Sequence, residues 1–141
     1  MIRLTGGFTL PAPPEKAFHY FTPLGEKEWA PGWDPRFPAE DETVFETSHG
    51  HATTWVIVDN SPGERIRYAR VAHGMTAGTV DVTLAENAGG ASEVTVTYEL
   101  TALSAQGGEH LARFAGGYDA YLRSWREAIT SVLPLWVPEQ S

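Results

Sequence analysis

Arg70 is the charged residue whose position says most about a possible site. It lies in ERIRYARVA, residues 64–72, and shares strand parity with Ile66 and Tyr68. If that face points inward, the guanidinium is costly to bury unless it is paired or reaches water. An inward guanidinium is suited to binding a carboxylate or an enolate oxygen of a ligand. The alternative is that a bulge or the strand end turns Arg70 outward, and Glu46 is a candidate partner.

Two further side chains are candidates for proton transfer. Tyr98 lies among inward valines in SEVTVTYELTAL, and a buried tyrosine hydroxyl normally finds a partner in protein, water or ligand. His73 precedes Gly74 near a strand end, where it is either a general base facing a pocket or a solvated loop histidine. Arg70, Tyr98 and His73 are therefore the candidate catalytic residues.

An aromatic loop is the second conspicuous feature. EWAPGWDPRFP, residues 28–38, carries Trp29, Trp33 and Phe37 among its prolines. Proline removes backbone donors and clashes with the preceding turn, so this segment is not an interior helix. The three rings either form the rim of a pocket, with proline limiting the entropy lost on ordering, or cover the open end of the core.

Metal and nucleotide chemistry have little support. His49 and His51 form an H-x-H pair with Glu46 nearby, but the glycine between them favours a turn over a metal site. Asp34 is either an acid or base at a pocket mouth or the cap of a turn. Nucleophile-elbow and phosphate-loop patterns are missing from the sequence. We therefore expect no metal and no cofactor.

Composition narrows the class of protein. The 141 residues are 42% hydrophobic and 20% charged, which suits one globular domain, residues 1–141. A net charge of −8 opposes binding to nucleic acid or to anionic membranes. The chain has no cysteine, which excludes disulfides, zinc–thiolate sites and a cysteine nucleophile. With neither a signal-peptide pattern nor an apolar run of ~20 residues, a cytoplasmic protein without membrane insertion is expected.

The elements that would position these residues begin with a strand. Residues 2–10 alternate, with Ile2, Leu4, Phe8 and Leu10 on one face. PAPPEKAFHYF then predicts a short helix that starts at the prolines, and LGEKEW predicts a second.

A run of strands fills residues 43–103. The segments are separated by turn-forming stretches such as DNSPGE and ENAGGAS. In the last two strands we expect the inward face to consist of Val80, Val82, Leu84, Val94, Val96, Tyr98 and Leu100. Threonine and charged residues take the other face, which indicates an antiparallel sheet with one wet side. Trp55 lies in TTWVIVD, where both faces are apolar, so its direction stays open.

The C-terminal region predicts one long amphipathic helix. Apolar residues from Leu111 to Val132 recur at helical spacing, which predicts a helix over residues 109–133, roughly 37 Å long. Phe114, Tyr118 and Tyr121 lie on its inner side, and Trp125 reads most simply as core. The Gly116–Gly117 pair costs about 1 kcal/mol per residue relative to alanine. Two explanations for glycines at these positions remain open: close packing against the sheet, or a kink that leaves room for a ligand.

This order of elements predicts an α+β fold. A curved antiparallel sheet would wrap around the long C-terminal helix, with two short helices after the first strand. A helix across a concave sheet cannot fill the whole concavity, so a pocket is expected between them.

The chain resembles the START-like superfamily, also called SRPBCC, the helix-grip fold of birch-pollen-allergen-like proteins and polyketide cyclases. The similarity covers essentially the whole chain and rests on FTLPAPPEKAFHYFT, EWAPGWDPRFP, TTWVIVD and VTVTYELTAL. Most members of the superfamily bind small hydrophobic molecules between sheet and helix. Some bind lipids, some close aromatic polyketide rings and some are co-chaperone-like, and no catalytic motif is universal.

The resemblance implies a binding protein for a small hydrophobic or aromatic ligand. The expected ligand-binding residues are Trp29, Trp33, Phe37, Trp55, Tyr68, Arg70, Tyr98, Phe114, Tyr118 and Tyr121. The alternatives are a cyclase or dehydratase acting on a polyketide-like carbonyl compound, and a co-chaperone-like interaction protein. A buried Arg–Tyr–His cluster would favour the enzyme. A wholly apolar cavity would favour a carrier protein. A collapsed interior with an exposed apolar patch would favour the interaction protein. The expected assembly is a monomer or a homodimer.

Overall fold

One antiparallel sheet dominates the computed structural model, which describes residues 1–38, 40–48 and 50–134. Within those residues its six strands run in the order β1-β6-β5-β4-β3-β2. In chain order they are β1 (Ile2–Leu10), β2 (Val44–Thr47), β3 (Thr53–Ser61), β4 (Arg65–Ala72), β5 (Thr76–Glu86) and β6 (Ser92–Ala102). Consecutive hairpins join β2 to β6, and β1 returns to pair with β6.

The alternation predicted for the last two strands is confirmed. Val80 lies opposite Tyr98, and Val82 lies opposite Val96. All four side chains are buried, while their neighbours along each strand are partly or fully exposed. The apolar set therefore forms the inner face of a sheet whose other face meets solvent.

The two predicted short helices are also confirmed. Helix α1 (Pro14–Ala17) continues directly into a 3₁₀ helix, Phe18–Phe21, and a second 3₁₀ helix spans Gly25–Glu28. Pro14 occupies the first turn of α1, where its fixed φ suits a helix and no intrahelical donor is lost. These short elements carry the chain across one end of the sheet to the aromatic loop.

The C-terminal helix differs from the prediction of one continuous helix over residues 109–133. Helix α2 (Ala105–Gly116) begins four residues earlier, because Ser104 caps it by accepting a hydrogen bond from the Gly107 amide at 3.0 Å. Helix α3 (Tyr118–Val132) follows after a break at Gly117, whose φ and ψ are −108° and 12°. Both Gly116 and Gly117 are exposed, and a Cβ at Gly116 would meet no atom within 4 Å. The glycine pair thus marks a kink rather than a close approach to the sheet.

The helices cover the sheet unequally. Helix α3 packs tightly on β1, where a Cβ at Gly6 would lie 2.6 Å from Leu122 Cδ1. We call this the packed half, and its side chains are almost fully buried: Leu10, Phe21, Tyr118, Leu122 and Ile129. Over β3, β4 and β5, beside the kink, the same interior contains a cavity, and we call this the open half.

Within the described part of the chain, every helix is too short or too polar to cross a membrane.

Candidate functional site

The open half encloses a cavity of about 690 Å³ between the sheet, the two C-terminal helices and the aromatic loop. That volume lies within the range of small-molecule sites in proteins. Its floor is the inner face of the sheet, including Val80, Val82, Tyr98 and Leu100. Its rim includes three exposed residues, Pro31, Tyr121 and Ser124, so the cavity opens to solvent there.

The aromatic loop contributes two of its three rings to the wall. The indole N–H of Trp29 donates to the carbonyl of Tyr20 at 2.7 Å, and that of Trp33 donates to the carbonyl of Pro23 at 2.7 Å. These bonds tie the loop to the short helices and fix both indoles against the cavity. Because the same rings contact the core, the pocket rim and the core cover are here the same residues.

Phe37, the third ring of the loop, is not part of the cavity wall. Its ring centroid lies 5.7 Å from that of Phe45, a fully buried core residue. Phe37 therefore covers the core from outside, and its predicted place in the pocket is wrong. The reason lies in the chain path, since Arg36 has already joined the sheet edge through backbone hydrogen bonds to Glu46.

Trp55 points inward, which resolves the ambiguity of TTWVIVD. Its ring stacks on Phe45 at 5.8 Å with an interplanar angle of 2°, and Trp33 meets it edge-on at 5.4 Å. Its indole N–H donates to the Thr47 hydroxyl at 3.0 Å. The Trp55 side chain also lines the cavity, and Arg70 lies over its ring.

Arg70 lines the cavity instead of turning outward. Its Cζ lies 5.1 Å from the centre of the Trp55 ring, within cation–π range. Its Nε is buried and has no hydrogen-bond partner among the described residues. The residue as a whole is only partly buried and its guanidinium has no acidic partner among the described residues, and the cavity is where a ligand oxygen could reach it.

Glu46 is not the partner of Arg70, contrary to one alternative raised by the sequence. Glu46 lies opposite Thr54 on the outer face of the sheet and is exposed. Its neighbours Phe45 and Thr47 are buried on the inner face. The two-residue period of β2 therefore separates Glu46 from Arg70 by the thickness of the sheet.

The tyrosines fall into two groups. The hydroxyl of Tyr118 donates to the carbonyl of Val96 at 2.7 Å, and that of Tyr68 donates to the carbonyl of Phe21 at 2.5 Å. Tyr68 still presents its ring to the cavity, whereas Tyr118 does not line it. The predicted pocket role of Tyr118 is thus wrong, because its hydroxyl is used to anchor α3 to the sheet.

Tyr98 and Tyr121 both line the cavity, and within the described residues neither hydroxyl donates to a backbone carbonyl as those of Tyr68 and Tyr118 do. Burial raises the pKa of Tyr98 well above its usual range, and the neighbouring Tyr121 hydroxyl raises it further. Burial likewise raises the pKa of Tyr121. Both groups therefore stay protonated at neutral pH and can donate to a ligand carbonyl. The ring of Phe114 lies 5.0 Å from that of Tyr98 and completes this wall.

His73 does not line the cavity, which supports the solvated loop histidine over the general base among the two alternatives. Its Nε2 and the Thr54 hydroxyl lie 2.9 Å apart in a hydrogen bond on the exposed face. The hairpin turn at Gly74, whose φ is 76°, follows immediately and carries His73 away from the inner face. Asp34 is likewise exposed and does not line the cavity.

Glu26 lines the cavity although the sequence did not single it out. It lies in the 3₁₀ helix Gly25–Glu28, three residues before Trp29. Burial raises the pKa of its carboxyl well above the usual range, which favours the protonated form. The i, i+3 spacing to Trp29 was the available signal, since residues so spaced share one face of a helix.

His110 is the second cavity residue that sequence reasoning missed. Its ring stacks on Phe114, with centroids 6.4 Å apart and an interplanar angle of 7°. Burial lowers the pKa of His110, and the positive charges of His51, Arg113 and Arg70 lower it further. The signal was its i, i+4 spacing to Phe114 on the inner face of the helix.

The remaining predictions concern core and metal. Trp125, read as core, is buried and also lines the cavity. His49 lies outside the described residues, so the H-x-H pair is described only at His51, whose ring lies 6.2 Å from that of His110. No three His, Asp or Glu side chains of the described ranges gather closely enough to hold a metal ion.

The sequence profile of the polyketide cyclase/dehydrase and lipid transport family matches residues 1–130. The chain belongs to this family. That membership confirms the resemblance to the START-like, or SRPBCC, superfamily drawn from the sequence. Comparison with curated proteins finds no match.

Solved structures with the same fold come from proteins of diverse description. The ZhuI aromatase/cyclase from a Streptomyces species superimposes with a TM-score of 0.68 at 10% identity, covering 92% of each chain. The Aha1 dimer from Colwellia psychrerythraea gives a TM-score of 0.67 at 15% identity, covering 92% of this chain and 97% of that one. A protein from Chromobacterium violaceum gives a TM-score of 0.67 at 20% identity, covering 92% of this chain and 95% of that one. At these identities the likeness establishes the helix-grip fold and nothing finer.

Proposed function

We propose that the protein binds a small aromatic molecule in the cavity, with Arg70 orienting a polar group of that molecule. The observation that carries this proposal is an aromatic-walled space of about 690 Å³ in which an arginine has no acidic partner among the described residues. Apolar and aromatic walls with a few converging polar groups are the usual composition of a ligand site. Family membership supports the same general role.

The contents of the cavity distinguish among the alternatives raised by the sequence. A collapsed interior would have favoured a surface-acting co-chaperone, but the interior holds an open cavity. A wholly apolar cavity would have favoured simple carriage, but Arg70, His110 and Glu26 line this one. These polar groups support selective binding and keep enzymatic turnover as a second candidate.

Binding of a neutral aromatic probe tests the proposal. Trp29, Trp33, Trp55 and Trp125 line the cavity, so methyl 2-naphthoate should alter the intrinsic fluorescence and give a saturable heat in calorimetry. Ala128→Trp would fill the cavity from α3, whereas Ala120→Trp places the same ring on the exposed side of that helix. We expect Ala128→Trp to bind about tenfold more weakly or worse, and Ala120→Trp to match the wild type. Equal binding by both variants would place the probe elsewhere, and no binding by the wild type would refute the proposal.

A dehydratase is the second candidate, and Glu26 is the observation that favours it. A carboxyl whose pKa is raised by burial, facing a cavity that also holds the Tyr98 side chain, suits proton transfer next to a carbonyl. The Glu26 carboxylate would take the α-proton of a β-hydroxy ketone while the hydroxyl of Tyr98, which also lines the cavity, donates to the enolate oxygen. The resulting acid would then protonate the leaving hydroxyl, which departs as water and returns Glu26 to its starting form.

Conversion of 4-hydroxy-4-phenyl-2-butanone to its conjugated enone, followed by ultraviolet absorbance, tests this second candidate. The wild type should catalyse the reaction and Glu26→Gln should not. Glu28→Gln is the matched control, since Glu28 belongs to the same short helix but is exposed and paired with His19. An equal rate with and without protein would remove dehydration of this substrate from consideration.

The remaining expectations stay predictions. These are the cytoplasmic location, the lack of nucleic-acid partners, the monomeric or homodimeric state and a single domain over residues 1–141. The net charge of −8 supports the prediction about nucleic acid.

A further inference from the structure

The cavity carries different polar groups at two separate places on its wall. We propose that its ligand is a two-ended aromatic molecule, with an acidic group bound by Arg70 and His110 and a hydroxyl or carbonyl oxygen bound by Glu26. This inference rests on the proposed function, because it specifies the class of molecule that the same cavity would accept.

The first place, the Arg70 end, has an excess of positive charge. Arg70 lies over Trp55, and His110 stacks on Phe114, so both groups are held by rings of the cavity wall. The His51 ring lies 6.2 Å from that of His110. Burial lowers the pKa of His110, and the charges of His51, Arg113 and Arg70 add to that effect. An anionic group of the ligand would relieve this repulsion and give Arg70 the acceptor it lacks.

The second place, the Glu26 end, holds a carboxyl group. Trp29, one turn further along, packs against Trp125 of α3 with ring centroids 5.3 Å apart. Glu26 is half-buried and makes no side-chain hydrogen bond or ion pair within the described residues. Burial alone accounts for its raised pKa, so no described cation stabilises its carboxylate. A protonated carboxyl both donates and accepts, which suits a hydroxyl or carbonyl oxygen of a ligand.

The polar groups at the two ends of the cavity do not pair with each other. Among the described residues, Arg70 and Glu26 form no ion pair, although both influence the pKa of Tyr98 and Tyr121. The space between them is lined by the rings of Tyr98 and Tyr121. A rigid aromatic body would occupy this space and bring one polar group to each end.

Three naphthalene probes separate the contributions of the two ends. Methyl 2-naphthoate is neutral, 2-naphthoate adds the acidic group, and 6-hydroxy-2-naphthoate adds a hydroxyl at the far side of the rings. By calorimetry at pH 7 with wild-type protein, we expect 2-naphthoate to bind about tenfold more tightly than its methyl ester. The hydroxy acid should bind a further ~3-fold more tightly.

Substitutions at Arg70 and Glu26 show which residue accounts for each gain in affinity. Arg70→Gln should remove the preference for acid over ester, because the neutral side chain has no charge to pair with the carboxylate. Arg67→Gln is the matched control, because Arg67 lies on the same strand and its Nε is likewise buried without a partner among the described residues, but its side chain does not line the cavity. Glu26→Leu should remove the gain from the hydroxyl, whereas Glu26→Gln, which keeps a donor and an acceptor, should retain most of it. Glu28→Gln should resemble the wild type.

Protonation of His110 gives a readout independent of affinity. A bound carboxylate would favour the charged imidazole, so the pKa of His110 in an NMR titration should rise when 2-naphthoate binds and not when the ester binds. The other titratable or charged groups near His110 are His51, Arg113 and Arg70, and Arg70→Gln should raise the pKa of His110 in the free protein.

Each outcome bears on one proposal or on both. Tighter binding of the acid, lost in Arg70→Gln and kept in Arg67→Gln, supports the two-ended ligand. Equal binding of acid and ester overturns it and leaves the proposed function intact. Failure of every probe to bind overturns both.

Discussion

Two buried tyrosines, one in each half of the molecule, differ in what their hydroxyl groups do. In the packed half, the Tyr118 hydroxyl donates to the Val96 carbonyl at 2.7 Å and joins helix to sheet. In the open half, Tyr98 makes no such bond to the backbone within the described residues and borders a cavity. A buried hydroxyl without a backbone acceptor is poorly placed for stability and well placed for a ligand.

The kink at Gly117 underlies this division. Helix α3 lies against β1, where Leu122 fills the space left by the absent side chain of Gly6. Helix α2, which precedes the break, contributes His110 and Phe114 to the cavity wall. Side chains of the packed half should therefore determine stability, and those of the open half should determine binding. The predictions below test that contrast.

The largest expected effect is a loss of core packing at Leu122. Leu122→Ala should lower the free energy of unfolding by about 3 kcal/mol, because it empties a site that is 3% exposed and closely packed. Phe114→Ala, at the cavity wall, should cost at least about 1 kcal/mol less, since that side chain is only half-buried. Urea denaturation measures both, and equal losses would contradict the contrast between the halves.

Glu26→Gln should stabilise the protein at alkaline pH. A carboxyl whose pKa is raised by folding contributes its full stability below the unfolded pKa of about 4.3 and loses it as the pH rises through the folded value. We therefore expect a gain of about 1–2 kcal/mol at pH 8 and almost none at pH 4. Thermal unfolding at both pH values measures it, with exposed Glu28→Gln as the control. A gain that does not depend on pH would argue against a Glu26 carboxyl whose pKa is raised in the folded protein.

The two tyrosines allow the same small change to be made in each half. Tyr118→Phe should lower the free energy of unfolding by about 1 kcal/mol, because it removes the bond to Val96. Tyr98→Phe should change stability by less than about 0.5 kcal/mol and alter the affinity for a carbonyl-bearing aromatic probe. If Tyr98→Phe is the more destabilising variant, its hydroxyl serves the fold and not a ligand.

The smallest expected effect on stability is at Arg70. Arg70→Leu should leave the free energy of unfolding unchanged or raise it by about 0.5 kcal/mol, since the guanidinium has no ion-pair partner among the described residues. Chemical denaturation of Arg70→Leu beside Arg67→Leu is the measurement. A loss above about 2 kcal/mol at Arg70 would reveal a structural role.

Local patterns in the sequence were sufficient for most of the fold. The two-residue alternation of β5 and β6 identifies the inner face without reference to other strands, and prolines mark the start of α1. The kink was harder to predict, because Gly116 and Gly117 are compatible with either close packing or a break. Only their exposed positions in the structure distinguish these explanations.

The site was less predictable because it depends on how distant elements meet. LGEKEW predicts a short helix but does not indicate which of its side chains face inward, and in the structure that helix turns Glu26 towards the cavity. His73 and His110 both lie on or next to elements that border the site. The hairpin turn places His73 on the exposed face, whereas the inner face of helix α2 places His110 in the cavity wall. The directions of Phe37 and Glu46 follow from strand pairing, which the sequence does not specify.

The most direct test of the central claim is a crystal structure of the protein soaked with 6-bromo-2-naphthoate, with the bromine located by anomalous scattering. We predict one bromine site inside the cavity, with the rings against Trp55 and Tyr98 and the carboxylate within hydrogen-bond distance of Arg70. A cavity closed by its own side chains, or bromine found only at the outer surface, would contradict the assignment of the open half as a ligand site.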